Sequence, residues 1–371
     1  MNLTVLFLTI YLLFIFFLIV VGYFAQRMRE TSYVAEENEG IDVSELVVII
    51  PFRNEEKRIH RLLNSINELH TFPKEFIFVN DHSEDATVAL VAGLKPEVPY
   101  RIVHLENGEE GKKMAIRKAI HDSSSTTILT IDADIELQPL YFAYLGHLEK
   151  VDMYILPAIL KAEKPLEYLF EVDLLLVMAV NMGLAGWTRP ILASGANLLF
   201  SRTAFEKYDR LASHAHMPSG DDIYLLRDFR KGKASVRLMT DSRLAIYTET
   251  PKSWQEFIHQ RLRWIAKTGD VKDGLSTALA ILQAIFTFVF VGIITSLLIS
   301  GETKSALMVF FVKTGIDVLA FLPFFNRNKR LVSWLFIPFY EILFPIYTVI
   351  IAVMMYTFKP TWKGRKLDRN F

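Results

Sequence analysis

The sequence predicts an α/β domain with a mostly parallel, doubly wound sheet, flanked by N- and C-terminal transmembrane helices. Three observations predict it. From Leu46 onward, short apolar runs alternate with segments of helical periodicity, the order expected of strand-helix-strand units. The runs end in polar loops rich in carboxylates and lysines. Apolar stretches long enough to cross a bilayer precede and follow this region.

Leu3 to Phe24 is almost uncharged, and Leu275 to Ser300, Ala306 to Phe325 and Val332 to Phe358 are three further candidate spans. The expected organisation is an anchor over 1–25, a linker over 26–45, a globular domain over 46–272, a membrane region over 273–358 and a basic tail over 359–371. The first span reads as an anchor, since it lacks a basic start and no small-x-small cleavage pattern follows. Arg27, Arg29 and the basic loop from Asn326 to Arg330 predict a cytoplasmic globular domain, at a cell inner membrane. The tail (Lys359, Lys363, Arg365, Lys366, Arg369) conflicts with three complete C-terminal crossings. Re-entry of the last segment, broken by Pro338 and Pro345 and carrying Glu341, would resolve the conflict, so the crossing number stays open. Pro165 to Trp187 is apolar but carries Glu167, Glu171 and Asp173; it reads either as lying against the membrane or as a core helix.

Composition narrows the function. Lysine plus arginine and aspartate plus glutamate each number 41, so the formal net charge is zero and nothing points to a nucleic-acid partner. The absence of cysteine excludes disulfides, thiolate nucleophiles and cysteine-based metal sites.

Within the globular region, strands are expected at Leu46 to Ile50, Phe76 to Val79, Arg101 to Leu105 and from Ile128. Helices are expected at Ile59 to Ile66, Ala86 to Leu94 and Lys112 to Ile120. The loops after the strands then gather at one sheet edge, where such folds bind ligands. They carry Pro51-Phe-Arg-Asn-Glu55, Asn80-Asp-His-Ser-Glu-Asp85, Gly111-Lys-Lys113 and Asp132-Ala-Asp134. In extended geometry Asp132 and Asp134 point to the same side, offering hard oxygen ligands to a divalent cation, Mg or Mn, that also holds phosphate oxygens. A solvated, turn-forming Asp is the plainer alternative at a strand end.

The ordered set Val48-Ile-Ile-Pro-x-Arg-Asn-Glu55, Val79-Asn-Asp-His-Ser-x-Asp85, Gly111-Lys112 and Asp132-Ala-Asp134 resembles the nucleotide-sugar half of family 2 glycosyltransferases, which have the GT-A fold. Two later stretches extend the likeness. Ser219-Gly-Asp-Asp-Ile-Tyr-Leu225 resembles the family's Glu-Asp-x-x-Leu, with Asp221 in place of Glu. Gln260-Arg-Leu-Arg-Trp264 reproduces the Gln-x-x-Arg-Trp of membrane-bound members such as ceramide glucosyltransferases and polysaccharide synthases. The resemblance covers about Leu46 to Lys267, and an ordered set is more specific than any single motif.

The resemblance implies a glycosyltransferase that takes a nucleotide-diphosphate sugar, such as a UDP-sugar, and a lipid or glycolipid acceptor. Pro51, Arg53, Glu55, Asp81, Lys112 and Asp132 would bind the nucleotide sugar, with Lys113 an alternative cation, and Asp132 and Asp134 would hold the metal. Asp222 would be the general base, with Asp221 the competing candidate, giving in-line displacement with inversion. Asn197, in the Gly195-Ala-Asn197 segment, and Asp221, Gln260, Arg263 and Trp264 would contact the acceptor or the diphosphate. Gln260, Arg263 and Trp264 fall on one helical face, and Ser253 and Glu256 have capping-box spacing just upstream. His214 and His216 invite a metal reading, although loop histidines are usually solvated. Trp362-Lys-Gly-Arg365 could touch headgroups or serve as a basic flank. Two functions compete with the lipid transferase: a processive polysaccharide synthase, and an inactive membrane scaffold that retains the fold.

Overall fold

The computed structural model describes residues 3–36, 39–95, 97–210, 220–271, 273–357, 361–362 and 365–366. His214, His216, Ser219 and most of the basic tail lie outside them. The chain divides into two compact units, each assembled from separate segments: 1–29 with 162–191 and 250–358, and 30–161 with 192–249 and 359–371.

The second of these is the α/β unit. Its strands are β1 Leu46–Phe52, β2 Glu75–Asn80, β3 Tyr100–His104, β4 Thr127–Ile131, β5 Ile135–Glu136, β6 Met153–Ile155, β7 Ala158–Lys161, β8 Asn197–Ser201, β9 Val236–Leu238 and β10 Ile246–Glu249. Seven form one sheet in the order β3-β2-β1-β4-β8-β6-β9. β1 runs parallel to β2 and β4, and β2 to β3, as the strand-helix alternation requires. β8 runs antiparallel to both β4 and β6, which makes the sheet mixed beyond β4. β5, β10 and β7 form a second, small sheet. Residues 46 to 50 are fully buried along β1, because side chains on both faces are covered; Val48 and Ile50 join the large core cluster that includes Phe76, Phe78 and Leu129. Burial on both faces is why these strands read as unbroken apolar runs.

The helical unit holds five helices long and apolar enough to cross a membrane: Leu3–Thr31, Pro165–Trp187, Gly274–Ile299, Thr303–Arg327 and Ile337–Met355. Pro165–Trp187 is an uninterrupted helix, and each of its three acids has a partner inside this unit. Glu167 accepts from Lys252 Nζ at 3.3 Å and from the Glu163 amide at 2.9 Å. Glu171 meets Arg330 at 3.2 Å and the Ser333 hydroxyl, and Asp173 meets Arg261, Tyr340 and Tyr347. Paired acids are affordable inside an apolar helix; unpaired ones are not. The last apolar segment is a short helix, Leu331–Trp334, followed by Ile337–Thr357 with Pro345 inside it. The first helix crosses Pro165–Trp187 at glycine: a Cβ on Gly22 would stand 2.8 Å from Gly183 Cα, and one on Gly186 would stand 3.0 Å from Gly22 Cα.

Candidate active site

The parallel strands β1, β2 and β4 deliver their loops to one edge of the α/β unit, and hydrogen bonds lock the first two loops together. The Asn54 amide donates to Ser83 Oγ at 3.1 Å, and the Glu84 amide donates to Asn54 Oδ1 at 2.9 Å. The Glu55 amide donates to Thr87 Oγ1 at 2.9 Å, and the Glu56 amide to Asp85 Oδ2 at 3.0 Å. Asn54 and His82 take left-handed backbone at φ 51° and 55°, so both chains can turn sharply at their strand ends. Partial burial would raise the Asp85 pKa, but donors from Thr87 and Glu56 outweigh it and hold the carboxyl below its ordinary range. Asn54, Ser83, Asp85 and Thr87 are thus loop staples, a role that sequence reasoning did not give them.

Asp81 ends β2 nearly buried. It accepts from the Gly111 amide at 3.1 Å, and Arg53 approaches it at 3.9 Å. Pro51 lies within β1, and Glu55 starts a helical turn whose Arg58 and Ile59 amides both donate to the Glu55 carbonyl at 2.9 Å. Gly111, at φ 87°, opens the helix Lys112–His121 and brings Lys112 to the centre of the cluster.

Lys112 Nζ lies 2.7 Å from Asp132 Oδ1, 3.0 Å from Asp221 Oδ2 and 3.2 Å from the Gly195 carbonyl. Its side chain is 13% exposed, against 40% for Asp132. Burial would lower the Lys112 pKa, but Asp132, then Asp221 and Asp222, outweigh it and hold the ammonium well above the ordinary lysine value. The Lys113 ammonium packs over the Tyr224 ring at 4.4 Å. Asp221 and Asp222 are the first two residues of the helix Asp221–Lys231, entered through left-handed Gly220 (φ 87°), where negative side chains are favourable. Asp222 Oδ2 accepts from the Gly195 amide at 3.2 Å and Oδ1 from the Ile223 amide at 2.8 Å. The backbone of Gly195 approaches these charges closely, and a Cβ there would lie 2.5 Å from Asp221 Oδ2 and 2.9 Å from Lys112 Nζ, so a larger residue would displace both side-chain ends.

Two expectations change. Asp132-Ala-Asp134 lies in a turn between β4 and β5 rather than in extended chain, and its carboxylates have different counter-charges: Lys112 for Asp132, and Arg58 at 3.8 Å for Asp134. Asn197 has its amide side chain engaged inside the protein. It is fully buried, accepting from the Tyr141 hydroxyl at 2.6 Å and donating to the carbonyls of Pro157 at 2.8 Å and Leu244 at 3.0 Å. It therefore ties β8 to the chain around β6 and β10, and Gly195 is the residue of that segment that meets the acidic cluster.

Gln260, Arg263 and Trp264 belong to the helical unit, on the helix Trp254–Val271, and all three are partly buried. The capping contact at its start is formed on one side: the Glu256 amide donates to Ser253 Oγ at 3.2 Å, while the Glu256 carboxylate accepts from the amide of Lys252, one residue before the cap, at 2.8 Å.

Known proteins give this geometry a setting. Residues 47–156 match the family described as Glycosyl transferase family 2. The chain is 27% identical over 226 residues to the 4,4'-diaponeurosporenoate glycosyltransferase of Staphylococcus haemolyticus, covering 58% of each protein. It is 30% identical over 109 residues to the poly-beta-1,6-N-acetyl-D-glucosamine synthase of Staphylococcus aureus, covering 29% of this chain and 26% of that one. The matches thus span little more than half of the first relative and about a quarter of the second. A mannosyltransferase from Pyrobaculum calidifontis, solved in complex with GDP-Man and Mn2+, superposes with a TM-score of 0.52 at 14% identity, covering 94% of this chain and 99% of that one. Sheet order and this superposition agree on the GT-A fold, and residues 47–156, the part that carries β1 to β6, are the part that matches glycosyl transferase family 2.

Proposed function

We propose that this protein is an inverting glycosyltransferase that moves a sugar from a nucleotide-diphosphate sugar to a lipid-like acceptor at the cytoplasmic membrane surface. The observation that carries the proposal is Lys112, which draws the first carboxylate of Asp132-Ala-Asp134 and the acidic pair Asp221-Asp222 into one cluster. Donor-side and acceptor-side groups of a displacement must lie this close if one anomeric carbon is to meet both.

A divalent cation fits the residues present. Asp132 and Asp134 are hard oxygen donors, 40% and 27% exposed, and so within reach of a cation from solvent. No group of three or more metal-ligating side chains occurs among the described residues, so diphosphate oxygens would complete the coordination. When bound, the cation neutralises charge that develops on the departing diphosphate. Lys112 adds fixed positive charge on that side, worth most in a site closed to water. Asp222 takes the proton of the acceptor hydroxyl as its oxygen attacks the anomeric carbon; the Gly195 and Ile223 amides orient the carboxylate. The roles of Gln260, Arg263 and Trp264 toward diphosphate and acceptor rest on the Gln-x-x-Arg-Trp motif.

A second reading is a processive synthase, favoured by the match to a polymer-forming relative. Both are tested by incubating the full chain in detergent with a panel of nucleotide sugars and a total lipid extract, with and without chelator. Mass spectrometry of the product distinguishes acceptor plus one sugar from a ladder. Full transfer in excess chelator would remove the metal from this scheme.

A further inference from the structure

The second residue of Gln260-Arg-Leu-Arg-Trp264 is a variable position of the motif, yet Arg261 is among the most enclosed charges of the helical unit. Its side chain is 7% exposed and faces Asp173, 3% exposed. Asp173 lies on the helix Pro165–Trp187 and pairs with Arg261 through Oδ2, and it accepts two further contacts: the Tyr340 hydroxyl donates to Oδ1 at 2.6 Å and the Tyr347 hydroxyl donates to the same oxygen. The two tyrosine hydroxyls are themselves 3.0 Å apart. A carboxylate held this way has little freedom to move, and it anchors the guanidinium through the Nη2 ion pair.

Two aromatic rings flank the guanidinium. Positions four before and three after Arg261 are its neighbours on the helix surface, and these are Phe257 and Trp264. The guanidinium lies over Phe257 at 4.8 Å and over Trp264 at 4.2 Å. Phe257 cannot yield, being fully buried, stacked on Phe170 with centroids 4.4 Å apart and met edge-on by Tyr347 at 5.5 Å. Arg261 therefore sits between a fixed wall and the Trp264 indole. Stability alone is a poor reason for such an arrangement, because well-packed apolar residues often replace a buried ion pair at no loss. A planar cation that stacks on an indole sets the tilt and height of that ring, which a flexible lysine ammonium does not.

We propose that Arg261 is a positioning residue: anchored by Asp173, Tyr340 and Tyr347, it holds the Trp264 indole in the orientation that the transfer step uses. The inference rests on the proposed acceptor-side role of Trp264 and names the residues that enforce it. Asp173 lies about ninety positions upstream in the sequence, outside every motif.

The test is a double-mutant cycle on the full chain in detergent, with Arg261→Lys and Trp264→Ala singly and together. It uses the nucleotide sugar that supports transfer to total lipid extract, and reads kcat and donor KM separately. Arg261→Lys should lower kcat by about tenfold with donor KM unchanged, and should cost less than about twofold more when Trp264 is already alanine. The emission of Trp264, taken as the spectrum of the parent minus that of its Trp264→Ala variant, should lose anisotropy in Arg261→Lys. Tyr340→Phe, which loosens Asp173 without removing charge, should show the same pattern at about two- to threefold. An unchanged kcat in Arg261→Lys, unchanged Trp264 anisotropy, or an equal loss in both backgrounds would each overturn the inference while leaving the role of Trp264 standing. A Trp264→Ala variant with normal kcat would remove that role, and the inference with it.

Discussion

Replacing Lys112 by methionine keeps the length of the side chain and removes its charge, which makes it the most informative single change in the acidic cluster. At about 3 Å and an effective dielectric of about 20, each ion pair of Lys112 is worth on the order of 5 kcal/mol before other costs. Desolvating the ammonium takes back much of that, and the Asp132 partner, 40% exposed, is screened by water. A net loss of about 2–4 kcal/mol in stability is therefore expected, read as a lower Tm of the full chain in detergent. Because burial and the acids leave the Lys112 pKa raised, its contribution is complete below the ordinary lysine value and fades only as pH climbs through the elevated one. The Tm gap between parent and variant should accordingly stay constant from about pH 6 to 9. Binding gives a sharper signature. Three carboxylates (Asp132, Asp221 and Asp222) share this cluster with Lys112, so losing the lysine deepens a negative excess. Donor KM should rise roughly ten- to hundredfold, the cost of one charge-assisted contact to phosphate. Affinity for Mn2+ alone, measured by calorimetry, should increase. A donor KM within twofold of the parent, or a weakened metal affinity, would refute the placement of the donor beside Lys112.

Three further outcomes are expected. Asp222→Asn should lower kcat by about a hundred- to ten-thousandfold with donor KM little changed, whereas Asp221→Asn should be milder; the reverse order in steady-state kinetics would shift the base by one residue. Asn197→Ala strands the Tyr141 hydroxyl and two buried carbonyls, so Tm should fall by roughly 5–10 °C while turnover per folded molecule holds; a loss of turnover at unchanged Tm would restore Asn197 to the ligand. Asp85→Asn should weaken the loop staples, and since the Asp85 pKa is lowered, the stability it contributes is present above the ordinary carboxylate value and lost as pH falls through the lowered one; the stabilities of parent and variant should converge in that acid range.

How far the sequence revealed this structure depended on the length and burial of each element. β1, β2 and β4 were plain, because strands covered on both faces show as apolar runs closed by polar loops. β5, β6 and β9 span two or three residues, too short for any periodicity, so neither the small sheet nor the antiparallel β8 could be anticipated. Among candidate site residues, Lys112, Asp132, Asp221 and Asp222 come together as the motif order suggested. Asn197 misled because an amide side chain in a ligand-like motif reads the same whether it faces solvent or satisfies buried carbonyls. Asp173 and Arg261 left no signal at all, since their pairing joins distant positions.

The three acids of Pro165–Trp187 also set the order in which this protein can be built. Every side-chain partner of theirs described above is synthesised later: Lys252, Arg261, Arg330, Ser333, Tyr340 and Tyr347. A lone acid at the centre of a bilayer costs on the order of 3 kcal/mol, so this segment is a poor substrate for insertion as it leaves the ribosome. At roughly 5–20 residues per second, the wait for its last partner is about 8–30 s, long on the scale of helix formation. Any crossing by this segment would therefore come late, once the C-terminal helices stand ready to neutralise its acids. Chains truncated after Glu249 should leave it accessible to water-soluble labelling reagents, and full-length chains should protect it; protection in the truncated chain would show that it enters unaided.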